Sequence, residues 1–268
     1  MKASYLVYLA EVGAANIHPL RQQATTCLVD ALNPRPDQHL LEVGCGTAGT
    51  MTRLILEKKV RVDGVEILWP MLRVGQRRLR LSGARARATL TCASGTQLPM
   101  ASACYDAVYT ESVLGYQEAK SAGAMLREIR RVLKPGRRYV ANEAIWKREI
   151  DPATAAAIHY AGVADFGLSQ ASPQAWSVDE WISLMEDSGF NLQAADLLHE
   201  KAEALPPTRL RDRPWQLHLS ATLTALFRLR GWLIPRLLRQ KWRYRRRLAR
   251  HTEDGHYLES RLFVLVAR

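Results

Sequence analysis

Little in this chain would fix a metal or cross a membrane. Its 268 residues include four cysteines, Cys27, Cys45, Cys92 and Cys104. None forms a Cys-x-x-Cys pair or stands at zinc-ligand spacing from a histidine, so no metal site is expected and reduced thiols are the default. The first nine residues are too short and too polar for a secretory leader, which makes a cytoplasmic protein the expectation. The most apolar stretch of the C-terminal third is broken by His218, Arg228 and Arg230, so a membrane-spanning helix is not expected there. Repeats, low-complexity linkers, recognisable RNA-binding modules and a base-amine motif of the Asn-Pro-Pro-Tyr type are all missing. Acidic residues are scarce in one region: residues 205–268 hold 15 Arg and Lys against four acids, while charges in the preceding 204 residues nearly cancel, within a net charge of +12.

The chain does carry an apolar run, residues 40–43, that ends in a glycine turn with Gly44, Gly46 and Gly49, and the next apolar run closes on Glu66. Glycines so spaced allow a tight turn, close backbone approach to a ligand and tight helix packing, and an acid about 20 residues on suits a ribose. NAD or FAD would bring a pyrophosphate to this turn, where Glu42, two residues before Gly44, would repel it. S-adenosylmethionine brings a sulfonium and an ammonium, which a carboxylate attracts, and its ribose still needs an acceptor such as Glu66. Glu42 could act through its neighbours' backbone rather than by direct contact.

Apolar runs alternate with glycine turns further along. Strands are expected at 39–43, 61–66, 88–92, 105–110, 138–145, 190–198 and 258–266, with helices at 48–58, 70–82, 121–133, 152–165 and 177–188. Such alternation argues for a mostly parallel sheet built from right-handed crossovers. Lys134-Pro135-Gly136 reads as a helix stop with a turn.

Taken together, LLEVGCGTAGT, GVEILWPML, Gln97-Leu98-Pro99-Met100, Tyr105 to Ser112 and the Arg127 to Gly136 segment resemble, in order and spacing, the motifs of the class I S-adenosylmethionine-dependent methyltransferases. Within that class the organisation looks most like the small-molecule branch that includes sterol and quinone C-methyltransferases. The resemblance implies an α/β fold with a Rossmann-like, mostly parallel seven-stranded sheet and helices on both faces. It also implies S-adenosylmethionine as cofactor and S-adenosylhomocysteine as its product. By the same resemblance Glu42, Gly44, Cys45, Gly46, Gly49, Glu66, Ile67, Met71, Ser94, Gly95, Thr96, Glu111 and Ser112 bind the cofactor. Ser94 stands where the family usually carries an Asp that accepts from the adenine amino group. Cys45 inside the turn reads as a small packing residue rather than a reactive thiol.

Three segments lie outside that core. Residues 1–35 are expected to form an N-terminal helical cap, residues 147–175 a cover over the substrate pocket, and residues 200–256 a basic helical insertion in a core spanning 36–199 and 257–268. Phe166, Leu168 and Trp176, with the aromatic-rich insertion, suggest a closed pocket for a small, largely apolar acceptor. RNA methylation through the basic third, or a non-catalytic cofactor-binding scaffold, stand as alternatives. A base near working pH would help an enol, phenol or carbon acceptor; Glu143, then His18, then Tyr116 are the candidates, with Glu111, His159 and Tyr160 behind them, each of which could equally be a structural hydrogen-bonder. The insertion interleaves Trp242 and Tyr244 with arginines, a pattern that fits a solvated helix face or peripheral contact with an anionic membrane.

Overall fold

The structure, a computed structural model, describes residues 5–15, 17, 20–169, 171–205 and 214–268. In chain order the elements are α1 (Tyr5–Glu11), α2 (Arg21–Leu32), β1 (His39–Val43), α3 (Gly49–Lys58), β2 (Arg61–Glu66), α4 (Trp69–Leu81) and β3 (Ala88–Cys92). Next come β4 (Tyr105–Glu111), α5 (Ala119–Val132), β5 (Leu133–Trp146), α6 (Pro152–Phe166), α7 (Val178–Asp187), β6 (Phe190–Leu197) and α8 (Leu198–Glu203). The chain ends with α9 (Trp215–Leu233), α10 (Pro235–Arg250) and β7 (Leu258–Ala267). The seven strands form one sheet in the order β3-β2-β1-β4-β5-β7-β6. β7 runs antiparallel to both of its neighbours, β5 and β6, and the pairings from β3 to β5 are parallel.

Alternation along each strand divides the core. On β1, Leu40 faces a cluster with Leu28 of α2, Met51 and Leu54 of α3 and Leu72 and Leu79 of α4, while Leu41 and Val43 face Leu126 and Ile129 of α5 and Trp181 of α7. A sheet buried on both faces reads as near-continuous apolar runs, as β1 and the middle of β5 do. Helix ends follow local chemistry. Asp151 caps α6 by accepting from the backbone of Ala153 at 2.9 Å, with Pro152 in the first turn, and Ser177 and Glu180 form a reciprocal capping box on α7.

β5 is longer than the expected 138–145. Leu133 already pairs with Tyr105, the register then slips, and Arg138 pairs with Ala107. The Pro135-Gly136 turn is thus absorbed as an irregularity inside a strand, with Gly136 at φ 70°; a proline costs no ladder bond where the pairing is already broken. α1 packs on α4 and on α10 through a cluster of Tyr8, Leu9, Met71, Phe166, Leu237 and Tyr244. The N-terminal segment and the insertion therefore meet each other on the side of the core next to α4.

Candidate functional site

The carboxyl ends of β1, β2, β3 and β4 converge on one crevice, where open α/β sheets bind ligands. The turn after β1 is shaped by its glycines. Gly44 adopts φ 79°, and a Cβ there would lie 2.4 Å from a methyl of Val113, whereas Gly46, at φ 51°, faces open space. Gly44 and Cys45 donate their N–H groups to Val65 O at 2.8 and 3.0 Å, pinning the turn to the end of β2. The Cys45 side chain is buried against Gly64, and burial with Glu42 nearby pushes its thiol pKa up, so it packs and does not react. Gly49 opens α3 directly behind the turn.

Glu66 holds both walls of the crevice. Its Oε2 accepts from Gly46 N at 3.0 Å and its Oε1 from Leu68 N at 2.9 Å. Burial raises its pKa and these N–H bonds oppose the rise. A carboxylate offers about four lone-pair sites. The Ile67 backbone adds a third contact, and the capacity that is left suits a ribose hydroxyl. Ile67 beside it is 55% exposed and offers an apolar face at the crevice, while Met71 is buried in α4 beneath α1 and is covered by the N-terminal helix. At the third strand end, Gly95 passes so close to Val43 and Met125 that a Cβ would stand 2.9 Å from each. Ser94 Oγ pairs with Thr96 Oγ1 at 2.8 Å and accepts from Thr96 N at 3.2 Å, an arrangement that stabilises the turn locally.

Glu42 stands on β1, one residue before its carboxyl end. It is buried, accepts from the Tyr109 hydroxyl at 2.9 Å and from the Met51 backbone, and is held well above the usual carboxylate range by burial and by Glu111. Glu111, at the end of β4, accepts from Thr25 Oγ1 of α2 at 3.1 Å and from Thr50 Oγ1 of α3. The two acids and two threonines therefore bolt the first turn of α3 to the sheet. Asn142, next to Glu111 on β5, is buried with its amide nitrogen unpaired.

The loop after β4 is latched from below. Glu143 is 1% exposed and accepts from Thr110 Oγ1 at 2.8 Å, Val113 N at 2.8 Å and Gly115 N at 3.0 Å. Burial raises its pKa to about 7, against those hydrogen bonds. Ser112, at φ 55°, donates its N–H to Asn142 O at 2.7 Å. Tyr116, half-buried at the loop's end, has its phenol pushed up to about 12 by burial and by Glu143, with Ser112 acting in the other direction. Of the remaining base candidates, His159 pairs with Ser169 Oγ at 2.8 Å on α6 and Tyr160 is exposed. His18 falls outside the described residues.

One site residue had gone unread in the sequence. Arg78 of α4 is buried, and its guanidinium donates to Thr47 O at 2.8 Å, Ser220 Oγ at 2.9 Å, Thr224 Oγ1 at 2.9 Å and Gly13 O at 3.3 Å. Among the described residues no carboxylate pairs with it, and burial lowers its pKa to about 10. The signal was available: Arg78 continues the buried Met71, Val74, Gly75 row of α4 at helical spacing. Thr47 adds a bond to Ala14 O at 2.7 Å. Arg78 and Thr47 thereby join the glycine turn, the N-terminal segment and α9. Beside them, α2, the first turn of α3 and α9 line a half-open cavity of about 860 Å³, with Leu217, Leu229 and Trp232 from α9, Thr25 from α2, Thr50 from α3 and Arg228 among its lining.

Comparison with known proteins agrees with this geometry. Residues 40–136 match the model of a methyltransferase domain. The chain is 31% identical over 210 residues to the uncharacterized methyltransferase YodH of Bacillus subtilis (strain 168), covering 77% of this chain and 83% of that protein. It is 28% identical over 204 residues to 24-methylenesterol C-methyltransferase 2 of Oryza sativa subsp. japonica, covering 75% of this chain and 52% of that protein. The solved structure of geranyl diphosphate C-methyltransferase from Streptomyces coelicolor A3(2), which contains S-adenosyl-L-homocysteine, superposes with a TM-score of 0.62 at 18% identity, over 91% of this chain and 78% of that one, and shares the fold. With a mostly parallel seven-stranded sheet, a glycine turn over buried acids and a relative matched along most of both chains, this protein belongs to the class I S-adenosylmethionine-dependent methyltransferases.

Proposed function

We propose that this methyltransferase acts on a small, largely apolar acceptor seated in the cavity between α2, the first turn of α3 and α9. The observation that carries the reading is the position of that cavity: Thr25 and Thr50 of its lining are hydrogen-bonded to Glu111 at the edge of the cofactor crevice, and Leu217, Leu229 and Trp232 line it from α9. Residues 1–35 and 200–256 then serve as cover, whereas none of the described residues of 147–175 lines this cavity. The matched relatives support the class of acceptor, since one is named for a sterol and one for a prenyl diphosphate.

When bound, the cofactor supplies a methyl group already activated on sulfur. What the chain contributes is alignment and exclusion of water. Glu66 accepts the ribose hydroxyls, residues 44–46 approach the cofactor with bare backbone, Ile67 offers an apolar face, and residues 94–96 line the third strand end. Glu143 acts as a positioning residue, because its carboxylate is enclosed by Thr110 and by the 113–115 backbone that it orders. Tyr116 ends that same loop and does not line the cavity. Incubation of the full chain with labelled S-adenosylmethionine and separate lipid, quinone, polyketide and RNA fractions tests the reading. Label in a lipophilic fraction is expected. Label in RNA alone overturns it in favour of nucleic acid, and label in none overturns it in favour of a cofactor-binding scaffold.

A further inference from the structure

The geometry of the insertion points to a docking surface for an anionic lipid bilayer, formed by the hairpin of α9 and α10. α9 is amphipathic in the reverse of the usual sense. The face it turns inward carries Ser220, Thr224, Phe227 and Gly231, with Ser220 and Thr224 occupied by Arg78 and Phe227 packed on Val74. The face it turns outward carries Trp215, Leu219, Leu226 and Leu233, which fall within about 40° of one another around the helix at 100° per residue. Trp215 is 67% exposed and Leu233 70%. An apolar stripe this long on a helix in water marks an interaction site. The neighbouring helix supplies the sign of the partner. α10 buries Leu237 and Tyr244 and leaves Arg239, Arg243 and Arg246 on its opposite, exposed face. Arg236 is paired with Glu11, and Arg247 and Arg250 with Asp165. No acid is paired with Arg239, Arg243 or Arg246 among the described residues. Lys241 Nζ, 3.0 Å from the centre of the Trp232 ring, ties the two helices into one unit.

Apolar side chains beside unpaired arginines and exposed tryptophans match the chemistry of an acyl boundary beneath anionic headgroups. A second copy of the chain would bring the same positive charge to the contact and repel itself. A spanning arrangement is not available either, since no helix among the described residues is long and apolar enough to cross a membrane. The surface stands independently of the acceptor reading, although a lipophilic acceptor could be collected at it.

Flotation of the full chain tests the inference, using vesicles of phosphatidylcholine with and without phosphatidylglycerol, at low and high salt. Binding is expected to the anionic vesicles at low salt, to weaken in high salt, and to be slight with phosphatidylcholine alone. Leu226→Glu with Leu233→Glu should abolish it, and each of Arg239→Gln, Arg243→Gln and Arg246→Gln should lower the partition coefficient about fivefold. These side chains are exposed, so circular dichroism should be unchanged in every variant. Failure of the wild type to float with anionic vesicles overturns the proposal, as does equal flotation of the leucine pair. A dimer in sedimentation equilibrium that the leucine pair dissolves, without vesicle binding, reassigns the face to contact between copies. Methylation of an acceptor presented in detergent is read separately, so its failure is distinguishable from failure of docking.

Discussion

At the scale of single residues, the site is run by buried carboxylates with distinct partners. Glu66 bridges Gly46 and Leu68, so Glu66→Ala removes a brace between the two loops and, on the proposed reading, an acceptor for the ribose. The expected loss of S-adenosylhomocysteine affinity is about 1 to 3 kcal/mol by calorimetry, and an unchanged dissociation constant would remove Glu66 from the site. Glu143 makes a prediction about pH. Its pKa is raised from an ordinary 4.5 to about 7 in the fold, so the folded chain holds this proton more tightly than the unfolded one. Its contribution to stability is therefore complete below about pH 4.5, is lost progressively as pH rises toward 7, and stays lost above that. At 1.36 kcal/mol per pKa unit the loss is of order 3 kcal/mol. Glu42 and Glu66 shift in the same direction, so the quantity to measure is the difference between wild type and Glu143→Gln. In urea melts at pH 4.5 and 7.5 the variant should lose less stability over that interval, and parallel curves would refute the assignment. These acids were legible as acids near strand ends. What each one touches was not, because Glu42 and Glu66 leave the same face of the sheet and differ only in what packs over them, Tyr109 and α3 for one and the 46 and 68 backbone for the other.

At the scale of elements, strand and helix positions were readable because the core is periodic. The expected 39–43, 61–66 and 88–92 coincide with β1, β2 and β3. β5 shows where that fails: it starts at Leu133, which pairs with Tyr105, and the register shifts before Arg138 pairs with Ala107, and a register slip has no local sequence signature. The loop after β4 is equally non-local. Gly115 has no positive φ to advertise it, yet a Cβ there would lie 2.3 Å from Ala144 O on β5. Gly115→Ala must push the loop off its strand and weaken the Gly115 N to Glu143 bond. A loss of about 1 to 3 kcal/mol is expected, as for overpacking, read as a lower urea midpoint at constant slope. Midpoints within error of wild type would mean that the loop is not clamped. The insertion was legible in content but not in orientation. Its leucines and tryptophans suggest burial by composition, and only the polar partners waiting on α4, above all Arg78, explain why α9 turns Ser220 and Thr224 inward.

At the scale of the whole molecule, charge and connectivity divide the labour. The methyltransferase core is nearly neutral and the excess of positive charge sits in the last quarter of the chain. Besides the apolar cluster with α1 and α4, the two parts are joined at Arg78, which reaches the N-terminal segment through Gly13, the glycine turn through Thr47 and α9 through Ser220 and Thr224. A buried guanidinium without a carboxylate is expensive, and it persists here because carbonyl and hydroxyl oxygens from three segments accept from it. Those three segments share one buried donor, so ordering of any one of them by ligand should be felt by the others. Binding of S-adenosylhomocysteine at the 44–48 turn is therefore expected to slow amide exchange in α1 and α9 as well as in α3. Arg78→Met keeps the length and apolar contacts of the stem but leaves Thr47, Ser220 and Gly13 without their shared donor. In that variant the ligand should still protect α3 and should lose its effect on α9 and on residues 5–15. Hydrogen exchange with and without ligand decides between the two possibilities: protection of α9 that survives in Arg78→Met would show that the insertion is coupled to the cofactor turn by some other route.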